Sequence, residues 1–455
     1  MELIYKVNDK PGKGKLLILA LQQLLAIIAG TITLPLIVGN GLSQSAALFG
    51  ACVGTLVYLA ITKFKSPVFL GSSFTFLGSM SAAFAGAATA AIGYVGVVIG
   101  AIMAGLVYVI LSVVVYYVGS NWVSKVFPPV IIGPIVALIG LTLAPNAVQN
   151  LLSGDVMING QAVASPYICI AVGLITLLVT IVVSVHARGF LKLIPFIIGI
   201  FAGYAIAAIL TVIGNSSGTD ILKIIDFTPM EHISWVPDFT FLHLGEGLKD
   251  LFSSKDAGKY ILMIFTLYVP IAFAVFAEHI ADHKNLSSII EEDLLKEPGL
   301  HRTLLGDGIG SMTGAIFGAC PNTTYGESIS CVAFSKNASI ITIVVASLLG
   351  IIVSFIGPVM TFFETIPSCI IGGISIALYG YIASSGLRML KGIDLNNPKN
   401  IFVISAIFVT GIGGLTIQFY HFSFSPIACS LVVGLLINLL VNVGEKKKKK
   451  EVKNE

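Results

Sequence analysis

Glu278 closes the apolar run Ile261–Ala277, and Glu327 stands in the string Asn322-Thr-Thr-Tyr325-Gly-Glu327 inside another apolar stretch. An ionised acid at bilayer depth costs about 2.5–3.5 kcal/mol on insertion scales, so such residues are functional candidates by default. Burial disfavours the charged form of a carboxyl, and an acid that gains and loses a proton near neutral pH is what proton coupling requires. In Glu278-His279-Ile-Ala-Asp282-His283 the i, i+4 spacing puts Glu278 and Asp282 on one helical face and the two histidines on the next. A metal site is the rival reading, but neither HExxH nor HxxEH is present and His283 adjoins Lys284 at a helix end. His279 reads as a satisfied interior histidine. Asp307, close to Arg302, and Glu364, near the outer end of its span, read as acids that reach an interface or a partner. No GxSxG elbow, P-loop or GxGxxG context appears, which argues against a serine hydrolase and an ATP-driven pump.

Two segments must position these acids. Phe69-Leu-Gly-Ser-Ser-Phe74-Thr-Phe76 and Asn322–Glu327 are rich in aromatic, β-branched and hydroxyl residues and favour extended backbone. Each follows a proline (Pro67, Pro321) and leads into a short apolar stretch. Non-helical backbone at membrane depth survives only when buried in protein or lining a cavity. Matching interruptions in two halves of a chain point to a substrate site. The helix that restarts after each presents free N–H groups to an electronegative ligand atom.

Hydrophobic residues make up 56% of the 455 residues and charged ones 11%, against about 25% charged in soluble domains. A bilayer accepts that surface. Apolar runs at Leu16–Val38, Ser43–Ile61, Val68–Ala87, Tyr94–Val118, Val130–Ala144, Tyr167–Val185 and Leu193–Ile213 are the first seven candidate spans. The rest are Tyr260–Ile280, Leu304–Ala319, Pro321–Phe334, Ala338–Ile356, Val359–Ser385, Ile401–Ile417 and Pro426–Val443. Leu16–Val38 is too long for a signal-peptide core and reads as a retained first span. Positive loop residues (Lys63, Lys65, Lys125, Arg188, Lys192, Lys284, Lys296, Arg302, Lys336, Arg388, Lys391, Lys399) fall on alternate connections, with both termini cytoplasmic. Gly214–Lys259 departs from this alternation, carrying four lysines among seven acids. Lys446–Lys450 reads as a topological stop.

Pro128-Pro-Val-Ile-Ile-Gly133 matches Pro367-Ser-Cys-Ile-Ile-Gly372, and Ser72-Ser73-Phe74 echoes Thr323-Thr324-Tyr325. The offset of seven spans inverts the second half, as in many secondary transporters. The expected fold is therefore an all-α polytopic membrane protein of fourteen transmembrane segments in a 7+7 inverted repeat, with extended pieces interrupting spans 3 and 10. Gly306, Gly310, Gly314 and Gly318 form a close-packing stripe. The six cysteines read as small packing residues. No cofactor and no nucleic-acid partner is expected, the net charge being only +3.

Ala277-Glu278-His279-Ile280, Glu297-Pro-Gly-Leu-His301-Arg302 and Pro321-Asn-Thr-Thr-Tyr-Gly-Glu327 resemble the uracil permeases of the nucleobase–cation symporter (nucleobase–ascorbate transporter) family. Leu70-Gly-Ser-Ser-Phe74-Thr-Phe76, Phe127-Pro-Pro and Leu378-Tyr379-Gly380 look like the same family, and the similarity runs from Leu16 to Val443. The resemblance implies proton-coupled uracil symport in the bacterial inner membrane. It also implies a core domain (16–118 and 258–356) and a gate domain (119–257 and 357–444), between a cytoplasmic N-terminus (1–15) and a polybasic tail (445–455). By that likeness Glu278 and Glu327 hydrogen-bond the uracil, and the N–H groups of Phe74 and Gly326 meet its carbonyls. Tyr325 and Tyr379 shape the pocket, and Ser73 belongs to it. Proton coupling falls to Glu327, Glu278 and Asp282, the last standing where the family carries a second histidine. Sodium as the coupled ion, membrane lipids and a homodimer complete the partners left open. Another nucleobase is the alternative substrate, and an intramembrane enzyme is the alternative from another class. With both termini inside, a Lys296→Cys side chain should be labelled from the cytoplasmic side only; labelling in intact cells by an impermeant maleimide checks this.

Overall fold

The computed structural model describes the chain except residues 1–2, 120–121, 159–160, 189–190, 192–193, 232–233, 238, 420–421 and 452–455. Lys192 and the chain end thus lie outside the described residues, as do the side chains of Lys446–Lys450. The first half runs α1 (Lys13–Val38), α2 (Gln44–Ile61), β1 (Leu70–Ser72), α3 (Leu77–Ala85), α4 (Ala90–Val118) and α5 (Val123–Val126). It continues with α6 (Pro129–Thr142), α7 (Ala144–Asn150), β2 (Met157–Ile158), β3 (Gln161–Ala162), α8 (Pro166–His186) and α9 (Pro195–Ser217). Two short helices follow, α10 (Thr228–Glu231) and α11 (Leu244–Ser253). The second half is α12 (Ala257–Ile290), α13 (Leu300–Ile316), β4 (Asn322–Thr324), α14 (Gly326–Ser335), α15 (Ile340–Ser354) and α16 (Gly357–Glu364). It ends with α17 (Ser368–Met389), α18 (Pro398–Ile412), β5 (Ile417–Phe419), β6 (Phe422–Phe424) and α19 (Pro426–Glu451).

The chain is a multi-pass membrane protein. Among the described residues eight helices are long and apolar enough to cross a bilayer, or nine if α15 and α16, bent by 79°, count as one. Of the other expected spans, α3, α13, α14 and α18 are shorter helices, and α19 is apolar over Pro426–Asn442. Val359–Ser385 is not one helix: it breaks between Glu364 and Ser368, because Pro367 has no N–H to donate and biases Ile366 away from helical backbone. Ile401–Ile417 stops at Ile412, where Gly413 and Gly414 (φ +71°) turn the chain into the β5–β6 hairpin. Polar caps fix the starts of other helices: Ser43 Oγ accepts from the Ala46 N–H and Thr89 Oγ1 from the Ile92 N–H, each at 3.2 Å.

Helix α13 is held between α2 and α4 by backbone contact. A methyl added at Gly310 would lie 2.7 Å from the Gly54 carbonyl oxygen, and one at Gly308 would lie 2.7 Å from that of Gly105. The expected glycine stripe is the surface on which α2 rests. Helices α6 and α17 meet in the same manner, a methyl at Gly133 falling 2.9 Å from the Gly386 oxygen. On the loop between α7 and β2 Asp155 accepts from the Ser368 N–H (3.1 Å) and hydroxyl (2.7 Å) at the start of α17. Burial pushes that carboxyl above its ordinary range, against the pull of the two Ser368 bonds. At the other end of the molecule the segment before α1 docks on the α14–α15 junction: Ala338 N–H donates to Tyr5 (2.9 Å) and Ile340 N–H to Val7 (3.0 Å).

A Gly310→Val change must push α2 from α13, and overpacking of this kind costs about 1–3 kcal/mol. The detergent-purified variant should melt at a lower temperature than the parent, whereas Gly245→Ala, with nothing within 4 Å, should not.

Candidate functional site

Strands β1 and β4 pair antiparallel in the register Leu70↔Thr324, Gly71↔Thr323 and Ser72↔Asn322. The ladder continues at both ends, Ser73 N–H donating to Pro321 (2.9 Å) and Tyr325 N–H to Phe69 (3.1 Å). Hydroxyls from surrounding helices serve the outward edges. The Leu70 N–H donates to Thr55 Oγ1 (3.0 Å), the Phe69 N–H to Ser328 Oγ (3.0 Å) and the Asn322 N–H to Ser311 Oγ (2.9 Å). Gln23 in turn donates to the Ser328 hydroxyl. The ribbon leaves no room beside Tyr325: a methyl on Gly71 would come within 2.5 Å of its ring.

Each strand ends where a helix begins. Ser73 (φ −83°, ψ 114°) precedes a 3-10 turn, Phe74–Phe76, that runs into α3; Tyr325 (φ −109°, ψ 115°) precedes α14. The first N–H groups of a helix have no partner within it, so two sets of free donors start from one crossing, at Phe74 and at Gly326. Glu327 sits in the first turn of α14.

A cavity of about 100 Å³ opens at this crossing. Ser72, Ser73, Phe74 and Thr75 line it from one extended segment and Thr323 through Glu327 from the other. Glu278, Ala281 and Asp282 face it from α12, while Val136 and Ile139 of α6 and Tyr381, Ile382 and Met389 of α17 close the opposite side. Thr75 Oγ1 lies 3.5 Å from Glu278 Oε2, and Thr324 Oγ1 donates to Asp282 Oδ2 at 2.9 Å. The buried hydroxyls of Ser73 and Tyr325 have no hydrogen-bond partner.

Of the residues expected at the site, Glu278, Glu327, Asp282, Phe74, Gly326, Tyr325 and Ser73 all line this cavity. Tyr379 does not; it packs behind Phe74, ring centroids 6.0 Å apart, and Tyr381 takes the wall position. His279 is the satisfied interior histidine expected, with Asp307 Oδ2 2.7 Å from Nδ1 and Thr303 Oγ1 3.1 Å from Nε2. Two sequence expectations need correction. Asp307, expected to reach an interface or a partner, is enclosed away from any interface and finds its partners in His279 and in the Thr323 hydroxyl, from which it accepts at 3.3 Å. His283 was placed at a helix end, yet it is buried against Tyr58 (2.8 Å). Its signal was its spacing: four residues past His279, it shares that residue's helical face.

A family model described as the permease family matches residues 14–419. A uracil permease of Bacillus caldolyticus is 36% identical over 444 residues, covering 96% of this chain and 94% of that protein. A uracil permease of Escherichia coli (strain K12) is 32% identical over 95% of this chain and 93% of its own length. Among solved structures, the transmembrane domain of a cyanobacterium bicarbonate transporter, BicA, superposes with a TM-score of 0.59 at 14% identity, covering 95% of this chain and 99% of that one. Murine Slc26a9, an anion transporter in its inward-facing state, gives 0.62 at 11% identity over 96% and 69%. These two likenesses show a shared fold.

Proposed function

The chain belongs to the permease family that matches residues 14–419, and from that premise we propose that it carries uracil into the cell by proton symport. It is a transporter and not an enzyme. One observation carries the substrate reading: two carboxyls, Glu278 and Glu327, and two helix starts, at Phe74 and Gly326, converge on one cavity. Uracil is a flat, neutral ring with N–H donors and C=O acceptors. Carboxylates suit the donors, through charge-assisted hydrogen bonds, and free helix N–H groups suit the acceptors. The names of the relatives point the same way.

Fourteen spans in two inverted sets of seven remain our reading of the topology, in a bacterial cytoplasmic membrane with both termini inside. The antiparallel pairing of β1 with β4 and the packing of α6 on α17 support it. In that scheme the extended segments, α12 and the bundle around α13 form the core, and α6 and α17 belong to the gate. Movement of the gate across the cavity mouth then exposes the ligand to each side in turn. A proton taken up on an acid beside the ligand outside and released inside couples transport to the gradient, with Glu278, Glu327 and Asp282 as the cavity's acids.

Glu278→Gln and Glu327→Gln should each lower uracil affinity about ten- to a hundred-fold, the loss of one hydrogen bond to a charged group being about 1.5–3 kcal/mol. Glu364→Gln should be mild, since Glu364 is exposed and lines a separate outer pocket with Asp226 and Thr361. Calorimetric titration with uracil checks the set, and equal losses at all three would move the site. In proteoliposomes a proton gradient should drive uptake of labelled uracil without sodium. Asp282→Asn should weaken that accumulation more than it weakens exchange of labelled for unlabelled uracil.

A further inference from the structure

Behind the cavity a file of polar side chains crosses the packed interior, and uracil binding has no use for it. Thr323, on the cavity wall, donates to Asp307 Oδ2 (3.3 Å), which lies 2.7 Å from His279 Nδ1. Farther along α12, His283 Nδ1–H donates to the His279 carbonyl (2.9 Å), which leaves Nε2 for the Tyr58 hydroxyl at 2.8 Å. Tyr58 is 2.7 Å from Ser66 Oγ. Ser66 adjoins Lys65, an exposed residue that pairs with Glu297 at the end of the molecule assigned above to the cytoplasm. His279, His283, Asp307, Tyr58 and Ser66 are each at most 1% exposed.

The file has one break. All four imidazole nitrogens are committed, to Asp307, Thr303, the His279 carbonyl and, at His283 Nε2, both Tyr58 and the Ser66 hydroxyl at 3.4 Å, so no hydrogen bond joins the two rings. The rings stack instead, centroids 4.1 Å apart and planes 32° from parallel. Interhelical hydrogen bonds often serve only as glue, at about 0.6 kcal/mol each, and glue needs no order. Here the groups run in sequence from cavity wall to helix end, and ionisable files of this kind mark proton relays. An unbroken wire would leak protons without substrate. A wire broken at two stacked rings conducts only when a ring turns.

We propose that Asp307–His279 and His283–Tyr58–Ser66 are the two sections of a proton path from the cavity to the cytoplasmic end of α2, gated where the imidazoles stack. The proposal rests on the proton-symport reading. Other titratable groups face the path: Glu278 and Asp282 from α12, Glu327 from α14, and Tyr108 of α4, edge-on to His279 at 5.9 Å. In the inward step the Thr323 hydroxyl takes up a proton from the cavity as its own O–H breaks to Asp307 Oδ2, and the Asp307 O–H bond breaks as the His279 Nδ1–H bond forms. A turn of the rings then breaks that His279 Nδ1–H bond as the His283 Nε2–H bond forms. That N–H then breaks to Tyr58, the Tyr58 O–H to Ser66 and the Ser66 O–H to water. Each hydroxyl loses one proton and gains one, every heavy atom keeps its electron pairs, and the net change is one proton moved.

The test compares wild type with Tyr58→Phe and His283→Gln in proteoliposomes, using labelled uracil. Uracil should still protect both variants against thermal unfolding, and exchange across the membrane should persist. Accumulation against a gradient, driven by an imposed proton gradient, should fall about tenfold or more, the low end of what a positioned proton-transfer group contributes. Ser66→Ala, a one-atom change at the far end, should show the same split and serves if either larger change impairs insertion. Wild-type accumulation in all three variants would overturn the path. Equal losses of exchange and accumulation would also overturn it, leaving the groups as helix contacts. A wild type driven by sodium and not by protons would sink the symport reading itself, and that failure appears in the parent protein rather than in the variants.

Discussion

Hydrocarbon offers a peptide group no hydrogen-bond partner, and each unsatisfied one costs several kcal/mol. Two stretches of this chain nonetheless leave the helix inside the membrane. They can do so because each completes the other: β1 gives its N–H and C=O groups to β4, and Thr55, Ser328 and Ser311 supply hydroxyls at the edges. Everything at the site follows from that pairing. The strands must end in order to fit the bundle, and where each ends a helix starts with free donors aimed at the same spot. Gly71 is needed because the ring of Tyr325 lies where a side chain would go.

The ribbon needs a firm backing, which α13 provides. Its glycines let α2 and α4 approach to backbone contact on two faces. Through Ser311 α13 holds β4, and through Asp307 it holds both His279 on α12 and Thr323 on the cavity wall. The side facing α6 and α17 is different, consisting mainly of apolar or aromatic side chains such as Val136, Ile139, Ile382 and Met389. Polar groups fix one wall by directional bonds, and the apolar wall can slide past without breaking any.

The broken spans were legible because Pro67, Pro321 and the hydroxyl-rich strings contradict an otherwise helical, apolar pattern. Glu278, Asp282 and Glu327 were legible because carboxyls are rare at that depth. Asp307 was not. Its sequence neighbour Arg302 suggests a helix end, whereas its actual partner, His279, lies on another helix and is found only by packing. Tyr379 and Tyr381 differ by half a helical turn and more, so choosing between them needs the rotation of α17 about its axis, which tertiary contacts set. The break before Ser368 was hidden by hydropathy averaging, although Pro367 was there to see.

The register of the ribbon also bears on how the molecule is made. Leu70 finds Thr324 only after some 250 further residues have left the ribosome, roughly 12–50 s of synthesis at 5–20 residues per second. Until then the first extended segment sits among α1 and α2 with one side of its backbone unclaimed, and Tyr5 waits still longer for Ala338. The early helices therefore enter the bilayer as an incomplete bundle whose polar seam must be sheltered by the insertion machinery or by lipid headgroups. Biogenesis is thus governed by the last-made partner of each pair, and a nascent chain truncated before Asn322 would carry a membrane defect no later event could close.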